Sequence, residues 1–533
     1  MTANSESPEA KASHKSIYIK EVQGHQARFL KFIQLTHSAT KAAGIMLAAA
    51  IVALAIANSG VYEAFLSFWD NEVGIVVGPL LMKLPLERVI DDVAMAFFFL
   101  LVGLEIKYEM TAGQLTNVRQ ALLPIVAAFG GVLVPIVIYS AFNAMNPGTA
   151  HGWGIPTATD IAFALGILSL LGNRVPNGVR VFLSTLAVAD DIIAILVIAI
   201  FYGHSPSLFW LACAALVFVA LIGMNRAHVY SIAPYMLVGG VLWYCIFMSG
   251  VHSTIAGVLL AFSIPSGSRV NLQTFIGWSK RTVRRASDAY NEEIPVSAQE
   301  DYLETVSRLS HVARQVVPPA TRLEHKLYPW VYFGILPLFA LTNADVSLAG
   351  GGFFEMVSNP VFFGVFFGLI VGKPVGIMLF SFLVVKLRIA SLPENTNWLH
   401  MLGAAILGGV GFTMAIFVAN LAFPDATYVV DAKLAILMAS ATAGVAGFAF
   451  LAIQAKADQK RGVAYLTTSD DDSVRQTAGA EAARQSRELL DQIESPLVRQ
   501  EIEAAKQGSP CGVAEVVVEF GEDGVPGEEE KPV

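Results

Sequence analysis

Apolar runs long enough to cross a bilayer recur along this chain, and no other feature of the sequence restricts its fold so severely. A helix crosses the hydrocarbon core in roughly 17 to 25 apolar residues, and inside lipid a segment must satisfy its own backbone hydrogen bonds. Twelve windows qualify, near 42–58, 90–106, 120–142, 154–171, 179–201, 207–223, 230–248, 251–264, 328–343, 360–384, 399–421 and 432–454. Hydrophobic residues make up 55% of the 533 and charged residues 15%, with a mean hydropathy of +0.58, a balance foreign to soluble globular chains. The expected fold class is an all-α polytopic membrane protein of about twelve transmembrane helices.

Lys and Arg set the orientation. Placing residue 1 inside leaves only Lys83, Arg88 and Lys433 in the outer segments and collects the remainder on the inner side, including Arg269, Lys280, Arg281, Arg284 and Arg285. Both termini are then cytoplasmic, in a cell inner membrane. Residues 1–41 carry no early apolar region with a small-residue cleavage site and are expected as a cytoplasmic segment. Residues 42–455 form the twelve-span domain, with a long cytoplasmic loop over 265–323. Residues 456–533 form an acidic, partly disordered cytoplasmic tail that supplies most of the net charge of −8. Cys213, Cys245 and Cys511 offer neither a disulfide framework nor metal-ligand spacing. The glycine-rich GTAHGWG and LAGGGFF lack the lysine of a phosphate loop, so no cofactor and no nucleic-acid partner is expected.

Ionisable groups inside the apolar runs are few: Asp92 and Glu105 in the second span, Asp160 in the fourth, Asp190 and Asp191 in the fifth, His252 in the eighth and Lys373 in the tenth. Each Asp or Lys at a helix centre costs about 2.5 to 3.5 kcal/mol on insertion scales. Such groups face a cavity or each other. The plain alternative is structural, with protonated carboxyls fixing helix packing. That alternative weakens for an adjacent acid pair accompanied by a third Asp and a Lys. Neighbouring residues on a helix point about 100° apart, so Asp190 and Asp191 face different surroundings.

Two spans also look broken. HGWGIPTATDIAF contains Pro156, which removes a backbone donor, beside Thr157, Thr159 and Asp160, whose side chains can serve freed backbone groups. LGGVGFTM contains Gly408, Gly409 and Gly411 beside Thr413. Irregular backbone at membrane depth is tolerated only where it is buried in protein or lines a cavity. The breaks fall in the middle of spans 3–5 and 10–12, and an offset of seven spans reverses direction, so the triplets form an inverted repeat. Antiparallel broken helices bring two partly positive N-termini together and two partly negative C-termini together. Asp160 suits the first cluster and Lys373 the second.

The segments VGLEIKYE, TATDIAFALGIL, ADDIIAIL, SGVHSTIAGV, RLEHKLYPW, ILPLFALTNADVSL, GKPVGI and GVGFTMAIFVANLAF resemble the bacterial sodium/proton antiporters of the NhaA type over about residues 30–455. That family is itself an established case of inverted repeats with broken helices. The resemblance implies exchange of cytoplasmic Na+ or Li+ for external protons, for pH and sodium homeostasis. It implies that Asp190 and Asp191 bind the cation and carry protons. It also implies that Thr159, Asp160, Lys373 and Thr413 support and compensate the broken helices, with Lys373 pairing with Asp190. Glu105, His252, Glu324 and His325 match positions tied to pH response. Tyr108, Tyr328 and Asp345 depart from the family pattern, so the pH-sensing positions match only in part.

Hard monovalent cations favour oxygen ligands, and protons compete for the same buried carboxylates. That competition, with alternating access, suffices for exchange without an enzyme's covalent chemistry. Two other classes compete with this reading. An intramembrane aspartyl protease lacks a GxGD-type motif in a span and leaves Lys373 without a role; a sodium-driven symporter is left open by the rule that fold does not fix function. Partners are Na+, Li+, H+ and membrane lipid. The oligomeric state is left open, a homodimer included.

Overall fold

The computed structural model describes residues 38–460 apart from 78–79, 117, 204–205, 348–358 and 394. The expected N-terminal segment up to residue 37, the tail beyond 460 and most of LAGGGFF lie outside the described residues.

Helices dominate the described residues. In chain order they include α1 (Ala39–Ala57), α2 (Tyr62–Trp69), α3 (Met95–Thr111), α4 (Val118–Asn143), α5 (Ile161–Leu170), α6 (Asn177–Phe201), α7 (Leu208–Arg226), α8 (Ile232–Met248) and α9 (Ile255–Ser263). There follow α10 (Leu272–Ala289), α11 (Glu300–Val316), α12 (Pro319–Trp330), α13 (Leu336–Asn343), α14 (Pro360–Phe367), α15 (Lys373–Lys386), α16 (Trp398–Leu407), α17 (Phe412–Ala422) and α18 (Ala426–Lys460). Six continuous helices are long and apolar enough to cross a membrane, and the count rises to eight when each of two bent pairs is taken as one span. This is a multi-pass membrane protein.

Three departures from the sequence expectations have local causes. Between α2 and α3 an antiparallel hairpin pairs Glu72–Val77 with Leu80–Pro85; its strands are shorter than any spanning run. The eighth window begins late, because Gly250 takes a left-handed φ of 81° and the helix forms only from Ile255. The loop expected over 265–323 is largely helical: α10 and α11 are amphipathic and pack against each other, with Asn271 Oδ1 capping α10 by accepting from the backbone N–H groups of Gln273 and Thr274.

Three wide, π-helical turns interrupt the apolar helices, at Val89–Ala94, Val331–Ile335 and Gly368–Gly372. Each hands the chain on to a helix that borders the site described below. Such turns are rare and concentrate where function needs a side chain re-aimed.

Close packing rests on small residues, as expected where lipid competes with protein for every apolar side chain. The most extensive contact joins α4 to α15. There Gly130 and Gly376 face each other so closely that a methyl on either would strike the other's carbonyl. The larger buried cluster draws on α1, α3, α13, α17 and α18, and a second on α4, α5, α6 and α16. At 35 residues, α18 is about 52 Å long, well beyond a hydrocarbon core of roughly 30 Å, so one end stands clear of it.

Candidate cation and proton site at two broken helices

Pro147–Thr157 and α5 form one bent pair, turned by 44°, and α16 and α17 form the other, turned by 48°. Their breaks meet. Asp160 N donates to Val410 O at 2.8 Å, joining the two breaks backbone to backbone. The approach needs a bare backbone: a Cβ on Gly411 would lie 3.2 Å from Ala158 O.

Asp160 is the N-cap of α5, where its Oδ1 accepts from Phe163 N at 3.0 Å. Its Oδ2 accepts from Thr413 N at 3.2 Å and from Thr413 Oγ1 at 2.6 Å. One buried carboxylate therefore caps two helix N-termini at once, its own and that of α17, whose own N-cap residue is Gly411 and has no side chain to offer. Two N-termini carry about half a positive charge each, so the backbone itself offsets the charge of Asp160.

Asp190 is held differently. Thr159 Oγ1 lies 2.5 Å from Asp190 Oδ2 and 3.1 Å from Gly408 O, the carbonyl at the end of α16. Lys373 Nζ donates to the Thr159 hydroxyl and to Asp190 Oδ2. Lys373 is fully buried, so this ion pair lies in a dry setting. The lysine thus reaches the α16 C-terminus through the Thr159 hydroxyl. Asp190 Oδ1 receives no hydrogen bond among the described residues, and neither does Asp191 Oδ1.

Asp191 is 2% exposed and within electrostatic reach of Asp190, Glu105, Lys373 and Asp160. Helix N-termini answer Asp160 and Lys373 pairs with Asp190, whereas no described ion pair reaches Asp191 and its Oδ1 has no described donor.

The other sequence candidates lie around this centre. Glu105 is half-buried on α3, facing Asp191 and Tyr332 electrostatically. Asp92, in the first π turn, accepts from Ser253 Oγ at 2.8 Å, and His252 meets Tyr202 O through Nε2 at 2.6 Å. Glu324 is buried on α12 and His325 is exposed. Neither makes a described hydrogen bond to the aspartate pair. Tyr328 packs against Tyr332, ring centroids 4.3 Å apart.

The structure adds Asp91, Asn343, Asn420 and the His400–Asp458 pair, which the sequence reading passed over, and gives partners to Asp345 and Lys433, which it named without any. Asn343 Nδ2 donates to Asp91 Oδ1 at 2.9 Å, and Asn420 Nδ2 donates to Asn343 Oδ1 at 2.5 Å. Asp345 accepts from Lys433 at 3.1 Å and from the Tyr62 hydroxyl at 3.2 Å. Burial and the neighbouring Asp345 push the Tyr62 phenol up to about 12, and burial raises the Glu87 carboxyl nearby. His400 and Asp458 pair at the far end of α16. The doubled acid at 91–92 was a signal for the first of these; the others join residues too far apart in sequence to announce themselves.

A sequence profile of the family described as Na+/H+ antiporter 1 matches residues 33–451. The chain belongs to this family. The Na+/H+ antiporter NhaA of Wolinella succinogenes is 41% identical over 440 residues, covering 82% of this chain and 96% of that relative. The NhaA proteins of Oleidesulfovibrio alaskensis and Helicobacter pylori are 43% and 42% identical over 412 and 411 residues, covering 77% and 75% of this chain and 90% of each relative. Membership makes the chain a transporter and not an enzyme. Among the described residues no three His, Cys, Asp or Glu side chains gather closely enough to hold a resident metal.

Proposed function

We propose that this transporter exports cytoplasmic Na+ or Li+ in exchange for external protons, and that the two compete for Asp190 and Asp191. The observation that carries this reading is the pair of adjacent buried carboxylates, each with one oxygen that no described donor serves, at the meeting of two broken helices. A dehydrated monovalent cation seeks such oxygens, with the Thr159 hydroxyl and carbonyls as further ligands. Asp191, to which no described cation is paired, is the carboxylate that one bound cation or proton neutralises. Binding at Asp190 disrupts the ion pair with Lys373, whose ammonium is then desolvated without a counter-charge and can release a proton.

Alternating access follows if the two bent pairs belong to inverted repeats over spans 3–5 and 10–12 that rock around the site. In this reading the domain over 42–455 holds twelve spans in the inner membrane with both termini cytoplasmic, and the tail from 456 is an appendage. Glu105, His252, Glu324 and His325 adjust the response to cytoplasmic pH. The names of the relatives, all Na+/H+ antiporters, support the cation.

The test uses everted membrane vesicles carrying a pH dye, energised and then given Na+, Li+ or K+. Na+ and Li+ should release protons from the vesicle interior in proportion to the protein present. Proton movement of the opposite sign would establish symport and overturn the proposal.

A further inference from the structure

Val375, Met378, Leu379 and Phe382 recur at spacings of three and four, so they share one face of α15. The other side of the helix carries Lys373, Gly376 and Ile377, and there Gly376 and Ile377 pack on Gly130 and Gly131 of α4. With Trp398, the first residue of α16, the four side chains line an open groove of about 470 Å3. Phe382 meets Trp398 there, ring centroids 5.7 Å apart. Val375, Leu379 and Phe382 are each about half exposed, so the groove faces away from the protein, on a helix long and apolar enough to cross a membrane.

The face has the depth of one leaflet and a charge at its end. From Val375 to Lys386, the last residue of α15, the helix rises about 16 Å, half of a hydrocarbon core of roughly 30 Å. Lys386 Nζ sits over the Phe382 ring, 5.6 Å from its centroid, and no described ion pair answers it. An apolar slot one leaflet deep that ends at an unanswered ammonium offers the two chemistries of a phospholipid with an anionic head, in the order in which the lipid presents them. In the orientation proposed above this is the inner leaflet.

We propose that the groove between α15 and α16 is a fixed site for one anionic phospholipid of the inner leaflet, with an acyl chain along Val375, Leu379 and Phe382 and the phosphate at Lys386. The two helices that it joins both reach the cation site. α15 begins at Lys373, and Gly408 O, one residue beyond the end of α16, accepts from the Thr159 hydroxyl at 3.1 Å. An acyl chain in the groove packs against both helices and holds the spacing at which Lys373 and Gly408 O meet Thr159. Exchange therefore depends on the lipid as well as on the cation. That effect on exchange rests on the reading of Asp190 and Asp191 given above, whereas binding of the lipid does not.

The full chain, stripped of lipid in detergent and titrated with phosphatidylglycerol or phosphatidylcholine, tests this by a count of retained lipids in native mass spectrometry. The wild type should keep phosphatidylglycerol in preference to phosphatidylcholine. Leu379→Trp fills the groove and should keep one lipid fewer, whereas Leu216→Trp, at a residue of α7 that is 73% exposed, should match the wild type. Lys386→Gln should lower the preference for phosphatidylglycerol about fivefold, the share of one base near an anionic surface. In proteoliposomes, phosphatidylglycerol should speed exchange by the wild type and by Leu216→Trp more than exchange by Leu379→Trp; the general surface charge of the membrane acts alike on all three. An unchanged lipid count in Leu379→Trp, or equal retention of the two lipids by the wild type, would overturn the proposal, and Val375→Trp fills the same groove if Leu379→Trp does not insert. Asp191→Asn keeps the two readings apart: it should lose exchange and retain the lipid, and exchange surviving there defeats the cation site while the lipid count still judges the groove.

Discussion

Asp160 and Asp190 are linked through Thr159, the neighbour of one and the hydrogen-bond partner of the other, and both are buried where the two breaks meet, yet their oxygens are used in opposite ways. Asp160 takes three donors on two oxygens, two of them backbone amides. Asp190 takes two side-chain donors on one oxygen and leaves the other without any. Backbone amides at helix ends cannot leave without unwinding a helix, whereas a hydroxyl can rotate and an ammonium can withdraw. The first carboxylate is a fixed clamp between two helices, and the second has the open oxygen and the movable donors that the proposed exchange requires. Buried charge alone does not mark a transport site; the kind of donor that answers it does.

The contrast predicts a graded set of outcomes. Asp191→Asn, which removes an ionisable carboxyl from the site and keeps the shape, should abolish Na+-dependent proton movement while the protein still inserts; normal exchange in that variant would end the contrast. Next in size is Lys373→Gln. Removing one member of a buried ion pair costs about 3 to 5 kcal/mol when the other stays charged, so Asp190 should hold a proton more tightly. Exchange should fall, its pH dependence should shift and less membrane potential should build per cation. A Lys373→Gln protein with the wild-type pH profile and full potential would show that the lysine carries no proton.

Smaller effects are expected on the clamp. Asp160→Asn retains one acceptor oxygen but turns amide hydrogens toward donors, a loss of about 1 to 3 kcal/mol, and Thr413→Val costs about 1 kcal/mol. Both should lower the melting temperature in detergent with only modest change in apparent Na+ affinity. Loss of cation binding at unchanged stability in Asp160→Asn would make it a ligand and erase the distinction. Smallest of all, a chain ending at about residue 460 should exchange as the full chain does, because the sequence beyond it has the composition of a solvated segment; a truncated protein that inserts but fails to transport would contradict this.

Much of this was legible in the sequence for physical reasons. Lipid forces charge and irregular backbone to be exceptional, so Pro156, Gly408 and the pair at 190–191 stand out against their surroundings. What composition and spacing do not give is pairing across distance. Lys373 meets Thr159 and Asp190 from 214 and 183 residues away; composition says only that it needs an acid, and the family resemblance alone named Asp190. His400 reads as one polar residue at the edge of a span until α18 folds back and sets Asp458 against it, 58 residues on. The 265–323 segment hid its two helices because they are amphipathic and lack the continuous apolarity that marked the others.

One feature of α15 extends to how such a protein can be altered. The ammonium of Lys373 is delivered by the wide turn over Gly368–Gly372, and a wide turn is, in arithmetic terms, one surplus residue in a regular helix. Each residue advances the helix by about 100°. Loss of a single codon within the turn, for example that of Val371, which is 43% exposed, removes the surplus and lets the segment close into ordinary helix with Lys373 still in phase, whereas the same loss in the regular helix of Pro360–Phe367 would turn Lys373 by about 100° away from Asp190. The wide turn is a place where the chain can absorb a change of count that a regular helix passes on as rotation.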